Sequence, residues 1–238
     1  MELLVFKQLM LYTLNIMCGR YPEPFHYKDI NKYFAAVARI DEELGFAPRY
    51  NIAPTQLAPI VREGEYGRQL TLLRWGLVPR WAKETAIGTR MINARAETLL
   101  EKPSFRKPFL TQRCLVPAGG YYEWQKTGSS KQPYLIRRRD KAPIAFAGLW
   151  DAWHNPESKE TVETFTIVTT AANELMRPIH ERMPLILFPA NFDAWLAPGE
   201  PLIELLATPE TPEFEAVPVS SWVNSPAYDD VRCINPCT

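Results

Sequence analysis

The pattern of apolar and polar positions predicts many short strands and few helices. Residues 28–44 carry apolar side chains at helical spacing, with Asp29 near the start and Gly45 after the end, which predicts an amphipathic helix. Runs rich in β-branched and aromatic residues follow and predict strands. They span residues 57–61, 69–78, 113–124, 132–138, 142–150 and 164–170, with a further buried strand at 185–188. Short helices are predicted near 172–178 and 189–197.

This order of elements predicts an α+β fold: a single domain built on a twisted, barrel-like, mainly antiparallel sheet with peripheral helices. The 22 Pro residues mark loops and strand ends, which favours an irregular sheet over a doubly wound one. With 238 residues, 46% of them apolar, the chain can fill a sizeable core. Intrinsic disorder is excluded.

Charge is balanced over the whole chain but not along it. Lys plus Arg and Asp plus Glu both total 27, which argues against a protein that binds nucleic acid through bulk charge. Between Arg49 and Arg113, however, nine Arg and three Lys stand against five Glu. A basic face is therefore expected, with ordinary surface ion pairs as the alternative explanation.

The four cysteines are too few and too scattered for a disulfide framework, which favours a reducing cytoplasm. Cys233 and Cys237 form a C-x3-C pair without a second Cys/His pair at zinc-finger spacing. We therefore predict neither a metal site nor a cofactor. We also expect a monomer that has no contact with membranes.

The first sixteen residues are apolar but too short to span a bilayer, and they lack the basic start and cleavage site of a secretory signal. We interpret residues 1–17 as a leader or a mis-assigned start outside the fold, with translation beginning at Met17. Removal of Met17 would make Cys18 the first residue. Its α-amine and thiol could then capture an aldehyde together as a five-membered thiazolidine.

Several polar segments stand out from the predicted strands. RYNIAPTQ at 49–56 places Asn51 in a turn, and RWGLVPRWA at 74–82 interleaves Arg with Trp75 and Trp81. Basic and aromatic residues together can follow phosphates and stack on bases. For Trp75 a place in the core is favoured, whereas Trp81 is expected to be exposed.

Two further segments concentrate groups that exchange protons. In PAGGYYEW at 117–124, Glu123 lies between aromatic residues, so burial should raise its pKa and suit it to proton transfer. A buried ion pair with an arginine is an equal alternative for Glu123. His180 lies in RPIHERMP, in a loop held by prolines, where a catalytic and a structural role remain equally open.

The motifs MCGR, RYNIAPTQ, WGLVPRWA, INARAET, FRKPF, RCLVPAGGYYEW and IHERMP occur in this order between Met17 and about Val223. Together they resemble the SOS-response-associated peptidase (SRAP) family of abasic-site processing proteins. The resemblance implies an SRAP domain over residues 18–225, followed by a C-terminal tail at 226–238. It also implies a protein that shields abasic sites in single-stranded DNA through a covalent cross-link.

The same resemblance implies a role for each matched residue. Cys18 would supply the amine that forms a Schiff base with the sugar aldehyde and the thiolate that closes the thiazolidine. Asn93 would orient the N-terminus and the sugar, Glu123 would transfer protons, and His180 would help to open the deoxyribose ring. Arg20, Arg95 and Arg182 would hold phosphates, with Asn51, Trp81 and Trp124 along the strand path.

Two alternatives remain open from the sequence. An amide-bonded Cys18 has no free amine, and Cys18, His180 and Glu123 could instead serve as nucleophile, base and orienting group of a thiol peptidase that cuts its own N-terminus. A non-covalent binder of single-stranded DNA would use the basic segment and Trp81 but not Cys18 or Glu123.

Overall fold

The structure is a computed structural model, and it describes residues 18–38, 47–199 and 203–237. Its helices are α1 (Tyr27–Phe34), α2 (Pro103–Thr111) and α3 (Phe192–Leu196). Its strands are β1 (Tyr21–Glu23), β2 (Val37–Ala38), β3 (Arg49–Ile52), β4 (Leu57–Gly64), β5 (Gly67–Trp75), β6 (Asn93–Arg95), β7 (Arg113–Ala118), β8 (Tyr121–Thr127), β9 (Ser130–Arg138), β10 (Ile144–His154), β11 (Thr161–Ala171), β12 (Arg182–Pro184), β13 (Ile186–Leu187) and β14 (Phe214–Pro218).

Five strands form a closed, barrel-like sheet in the order β11, β10, β7, β4 and β5. Neighbours in this order pair antiparallel, and a short parallel pairing of β5 with β11 closes the ring. Aromatic side chains fill the interior, where the rings of Trp75 and Phe165 stack at a centroid distance of 6.3 Å. Apolar burial of this kind supplies most of the stabilisation. The predicted α+β class with a barrel-like sheet is confirmed.

Outside the barrel, α2 and α3 pack with α1 over a second apolar cluster, in which Phe34 stacks on Phe192. The predicted helix near 189–197 is therefore confirmed, as a 3₁₀ turn over Pro189–Asn191 that continues into α3. The predicted helix near 172–178 is wrong, because these residues form turns.

The predicted helix over 28–44 extends too far. It ends at Phe34 because Ala35 adopts a left-handed backbone with φ 50°, and the chain then enters the short strand β2. Its last predicted residues, 39–44, lie outside the described part of the chain. The spacing of apolar residues predicts a helix but does not show where a single left-handed residue ends it.

The predicted strand over 113–124 is two strands, β7 and β8, separated by Gly119 and Gly120. Gly120 has φ +152°, and a Cβ atom there would lie 2.4 Å from the backbone oxygen of Ile136. The chain can therefore leave the barrel at this point and enter a second sheet of β8, β9 and β14. Glu123 is the third residue of β8 after this turn.

The ends of the chain meet the fold differently. Residues 1–17, predicted as a leader, lie outside the described part. Residues 226–237, predicted as a tail, pack on β3: Asp229 accepts hydrogen bonds from the backbone N–H groups of Tyr50 (2.5 Å) and Asn51 (2.8 Å). Cys233 is buried beside them. No helix in the described ranges combines the length and apolarity needed to cross a membrane.

Candidate active site around Cys18

Cys18 and Glu123 meet in a buried contact between the start of the described chain and β8. The backbone nitrogen of Cys18 donates a hydrogen bond to Glu123 Oε1 at 2.5 Å, and the two residues are only 3% and 2% exposed. Cys18 has φ 48°, a left-handed conformation that is uncommon for a residue with a side chain. The carboxylate is thus held on the nitrogen that would be an amine if Cys18 were the first residue.

Burial dominates the electrostatics of this contact. It raises the pKa of Glu123, while the charge of His180 and hydrogen bonds from Cys18 and Trp124 act in the opposite direction. Burial also raises the pKa of the Cys18 thiol, which is hydrogen-bonded to Glu123, and Arg182 lowers it in part. Glu123 therefore holds its proton at a higher pH than an exposed glutamate.

His180 and Arg182 reach the same region from the loop that enters β12. The backbone nitrogen of Arg182 donates to His180 Nδ1 at 3.1 Å, which fixes the orientation of the half-buried imidazole. The Arg182 guanidinium is buried and forms a bidentate ion pair with Glu97, one contact being 3.0 Å. It also donates to the backbone oxygen of Thr169 at 2.8 Å.

Asn93 and Arg95 lie on β6, which pairs in parallel with β11. The two side chains share one face of β6 because alternate residues of a strand point the same way. Asn93 is half-buried and Arg95 is exposed. Within the INARAET motif the chain is extended only over Asn93–Arg95 and then forms a 3₁₀ turn over Ala96–Thr98. Of Asn93 and Arg95, Arg95 is the one presented to solvent.

A separate network joins Arg20, Asn51 and Trp124 to the segment at 223–228. Arg20 donates to Asn51 Oδ1 at 3.1 Å and to the backbone oxygen of Val223 at 2.9 Å. Asn51 was predicted in a turn, but it lies on β3 and is fully buried. Its amide donates to three backbone oxygens of this segment, at 2.8 Å for Tyr228. Trp124 Nε1 donates to Asn224 Oδ1 at 2.7 Å. These three side chains anchor the C-terminal segment beside β8.

The tryptophans of the basic segment divide as predicted. Trp75 is fully buried, and its Nε1 donates to the backbone oxygen of Ile92 at 2.9 Å. Trp81 is 56% exposed, in a loop tied down by the ion pair of Arg80 with the buried Asp151. Trp81 is thus available for stacking on a ligand.

The structure therefore brings four predicted site residues together: Cys18, Glu123, His180 and Arg182. Arg20, Asn51 and Trp124 form the neighbouring network, and Trp81 lies in its own loop. Two polar residues at the site were not predicted from the sequence. Glu97 forms the ion pair with Arg182. Tyr121 is buried, and the charges of Cys18 and Glu123 add to the effect of burial in raising the pKa of its hydroxyl. Strand alternation could have revealed Tyr121, because it precedes Glu123 by two residues on β8.

Comparison with known proteins bears on what this site is. A sequence model of the SOS response associated peptidase (SRAP) family matches residues 17–226. The chain belongs to the SRAP family. The family resemblance predicted from the motifs between Met17 and Val223 is confirmed.

Named SRAP relatives include bacterial and vertebrate proteins. The abasic site processing protein YoqW of Bacillus subtilis is 45% identical over 227 residues, covering 92% of this chain and 99% of its own. The abasic site processing protein HMCES of Gallus gallus is 33% identical and covers 80% of this chain and 67% of its own. A crystal structure of a protein from Bacteroides thetaiotaomicron superposes with a TM-score of 0.85 at 28% identity, covering 93% of this chain and all of that one.

Proposed function

We propose that this chain processes abasic sites in single-stranded DNA by forming a covalent thiazolidine cross-link through Cys18, once Cys18 is the first residue. The unit that does so is the SRAP domain over residues 18–225, acting as a cytoplasmic monomer without a cofactor. The observation that carries the proposal is the 2.5 Å hydrogen bond between the Cys18 nitrogen and Glu123. The relatives of this chain are named abasic site processing proteins, which supports the choice of substrate.

The first chemical step uses the nitrogen of Cys18. An α-amine has an ordinary pKa of about 7.7 to 8.0, so a carboxylate at hydrogen-bond distance can take its proton near neutral pH. The free amine attacks C1′ of the ring-opened sugar, and loss of water gives the Schiff base. Glu123 is suited to deliver the proton that this water needs, because burial raises its pKa.

The second step uses the thiol of the same residue. Glu123 is hydrogen-bonded to the thiol as well as to the nitrogen, so one carboxylate can accept the thiol proton and return a proton to nitrogen. The sulfur bonds to C1′, and the electron pair of the C=N bond moves to nitrogen. The product is a five-membered ring that contains both nucleophiles of Cys18.

The remaining residues bind the sugar and the strand. His180 exchanges protons with the sugar as the deoxyribose ring opens, and Asn93 orients the N-terminus and the sugar. Arg95 and Trp81 are exposed and fit contacts with a phosphate and a base. The guanidinium groups of Arg20 and Arg182 already bind protein acceptors, so they act on a phosphate through their charge and not by direct contact. Glu97 offsets part of the charge of Arg182. Asn51 and Trp124 support this path through the segment at 223–228.

The geometry favours this chemistry over a thiol peptidase. A peptidase nucleophile requires a thiol with a lowered pKa and a histidine on the sulfur. Here burial and Glu123 raise the pKa of the thiol, and its hydrogen bond goes to Glu123. His180 Nδ1 accepts a hydrogen bond from the backbone of Arg182, and among the described residues no hydrogen bond joins the imidazole to the Cys18 sulfur.

The test compares two forms of the chain on single-stranded DNA with one abasic site. A chain beginning at Cys18 should give an adduct that survives denaturing electrophoresis, because only that form has the α-amine. The chain that retains residues 1–17, kept intact as verified by mass spectrometry, should give none. Equal cross-linking by both forms would disprove the thiazolidine mechanism.

Cys18→Ser in the trimmed form is the matched control. It retains the amine but not the thiol, so its adduct should stop at the Schiff base. Borohydride should trap that adduct, which should otherwise be lost on heating. A heat-stable adduct without borohydride would show that the thiol takes no part.

A further inference from the structure

Tyr121 is a buried polar residue next to the Cys18 site. It lies on β8 two residues before Glu123, so both side chains are on the same face of the strand. It is 1% exposed, and its ring packs edge-on against Phe146 at a centroid distance of 6.0 Å. Tyr122 between them points to the other face, where its hydroxyl donates to the backbone oxygen of Tyr50 at 2.8 Å.

The Tyr121 hydroxyl has no hydrogen-bond partner among the side chains and backbone groups of the described residues. Buried hydroxyl groups are nearly always satisfied, and an unsatisfied one is a cost that folding alone does not require. A phenylalanine would fill the same apolar space. The hydroxyl is therefore expected to find its partner during the reaction.

Two groups of the Cys18 site interact electrostatically with this hydroxyl. Cys18 and Glu123 act on Tyr121 electrostatically, and together with burial they keep its hydroxyl protonated. Glu123 and Arg182 are the charged groups that act directly on the Cys18 thiol, and His180 acts on Glu123. Among these groups Glu123 repels a thiolate and takes up its proton. A neutral donor on the same face would stabilise the sulfur once its proton has left.

We propose that the Tyr121 hydroxyl is a third polar group of the Cys18–Glu123 pocket and donates a hydrogen bond to the ionised sulfur of Cys18. The role of this hydrogen bond in the reaction with DNA rests on the function proposed above. There, Glu123 removes the thiol proton, Tyr121 holds the thiolate, the sulfur bonds to C1′ of the Schiff base, and nitrogen recovers a proton from Glu123. Tyr121 itself gives up no proton in this sequence.

The experiment measures the thiol without DNA. The full chain is treated with iodoacetamide between pH 6 and 9, and alkylation of Cys18 is followed by mass spectrometry of its peptide, since Cys237 is exposed and also reacts. Tyr121→Phe should slow alkylation of Cys18 roughly tenfold at a fixed pH below the thiol pKa, because a hydrogen bond to a charged group is lost. Its rate profile should move to higher pH.

Tyr21→Phe is the matched control. Tyr21 is also 1% exposed, has a hydroxyl without a partner among the described residues, and packs on the same Phe146. Its electrostatic neighbours are Glu23, Arg49 and Cys114, so its removal should leave the Cys18 rate unchanged. If Tyr121→Phe fails to fold, 3-fluorotyrosine at position 121 keeps the ring and offers a more acidic donor, which should speed alkylation.

The outcomes separate this proposal from the proposed function. An unchanged rate in Tyr121→Phe, or equal slowing in Tyr21→Phe, would overturn the role of Tyr121 even if the trimmed chain cross-links DNA normally. Slowing confined to Tyr121→Phe would support it even if the trimmed chain formed no adduct, in which case the proposed function alone would fail.

Discussion

Replacing Glu23 by Gln should stabilise the protein, and by an amount that depends on pH. Glu23 lies in β1, is completely buried, and burial raises the pKa of its carboxyl to about 9. Arg49 stands opposite it on β3 but is bound to Asp229 and Gln56. The charge of Arg49 and the backbone of Phe25 therefore lower the pKa of Glu23 only in part, and burial outweighs them.

The magnitude follows from proton linkage. The folded pKa of about 9 exceeds the ordinary value of 4.5, so the folded state holds the proton more tightly than the unfolded state. The contribution of the neutral carboxyl to stability is complete below pH 4.5 and is lost as pH rises towards 9, at about 1.4 kcal/mol per pH unit. At pH 7 the accumulated loss is about 3 kcal/mol. Gln has nearly the same shape as Glu and cannot ionise, so Glu23→Gln should recover most of the stability that is lost at pH 7.

The assay is urea unfolding followed by tryptophan fluorescence at pH 5, 6, 7 and 8. Glu123 shifts in the same direction, so the difference between variant and wild type is the quantity that isolates Glu23. This difference should be under about 1 kcal/mol at pH 5 and should grow by about 1.4 kcal/mol with each pH unit. The exposed Glu84→Gln controls for the loss of one negative charge. A difference that is constant with pH would refute the reasoning.

Two further predictions concern the DNA reaction of the chain that begins at Cys18. Glu123→Gln should slow adduct formation by about 10² to 10⁴, the usual contribution of a general acid or base, without changing affinity measured by fluorescence anisotropy; adduct formation at the wild-type rate would contradict proton transfer by Glu123. Arg95→Ala should weaken binding in every sequence context and reduce the slope of log affinity against log salt by roughly 0.7, as expected for one lost phosphate contact on a single strand. An altered base preference with the slope unchanged would argue against that contact.

Most strands of the fold could be predicted because their apolar and β-branched residues form short runs between turn residues. Which strands close the barrel could not be predicted, because β5 and β11 meet through only two residue pairs that are far apart in sequence. The split between β7 and β8 also escaped prediction. The sequence shows the pair Gly119 and Gly120. It does not show that Gly120 lies against the backbone of Ile136, because that contact exists only in the folded chain.

The candidate site divides in the same way. Its chemical groups were recognisable from the motifs, and burial of Glu123 was expected from its aromatic neighbours. The sequence left an ion pair with an arginine equally open, whereas the folded chain directs Glu123 to the Cys18 nitrogen. The orientation of arginines was beyond prediction, because a guanidinium that faces a phosphate and one that binds Glu97, as Arg182 does, look alike in a sequence.

The hydrogen bond between Cys18 and Glu123 joins residues that are 105 positions apart. During synthesis Cys18 leaves the ribosome long before Glu123 exists, and His180 follows later still. In the function proposed above, the nucleophile is therefore made first and its acid–base partner afterwards, and a contact of such long range forms slowly in folding. The reactivity proposed for Cys18 would then begin only when synthesis and folding are both complete.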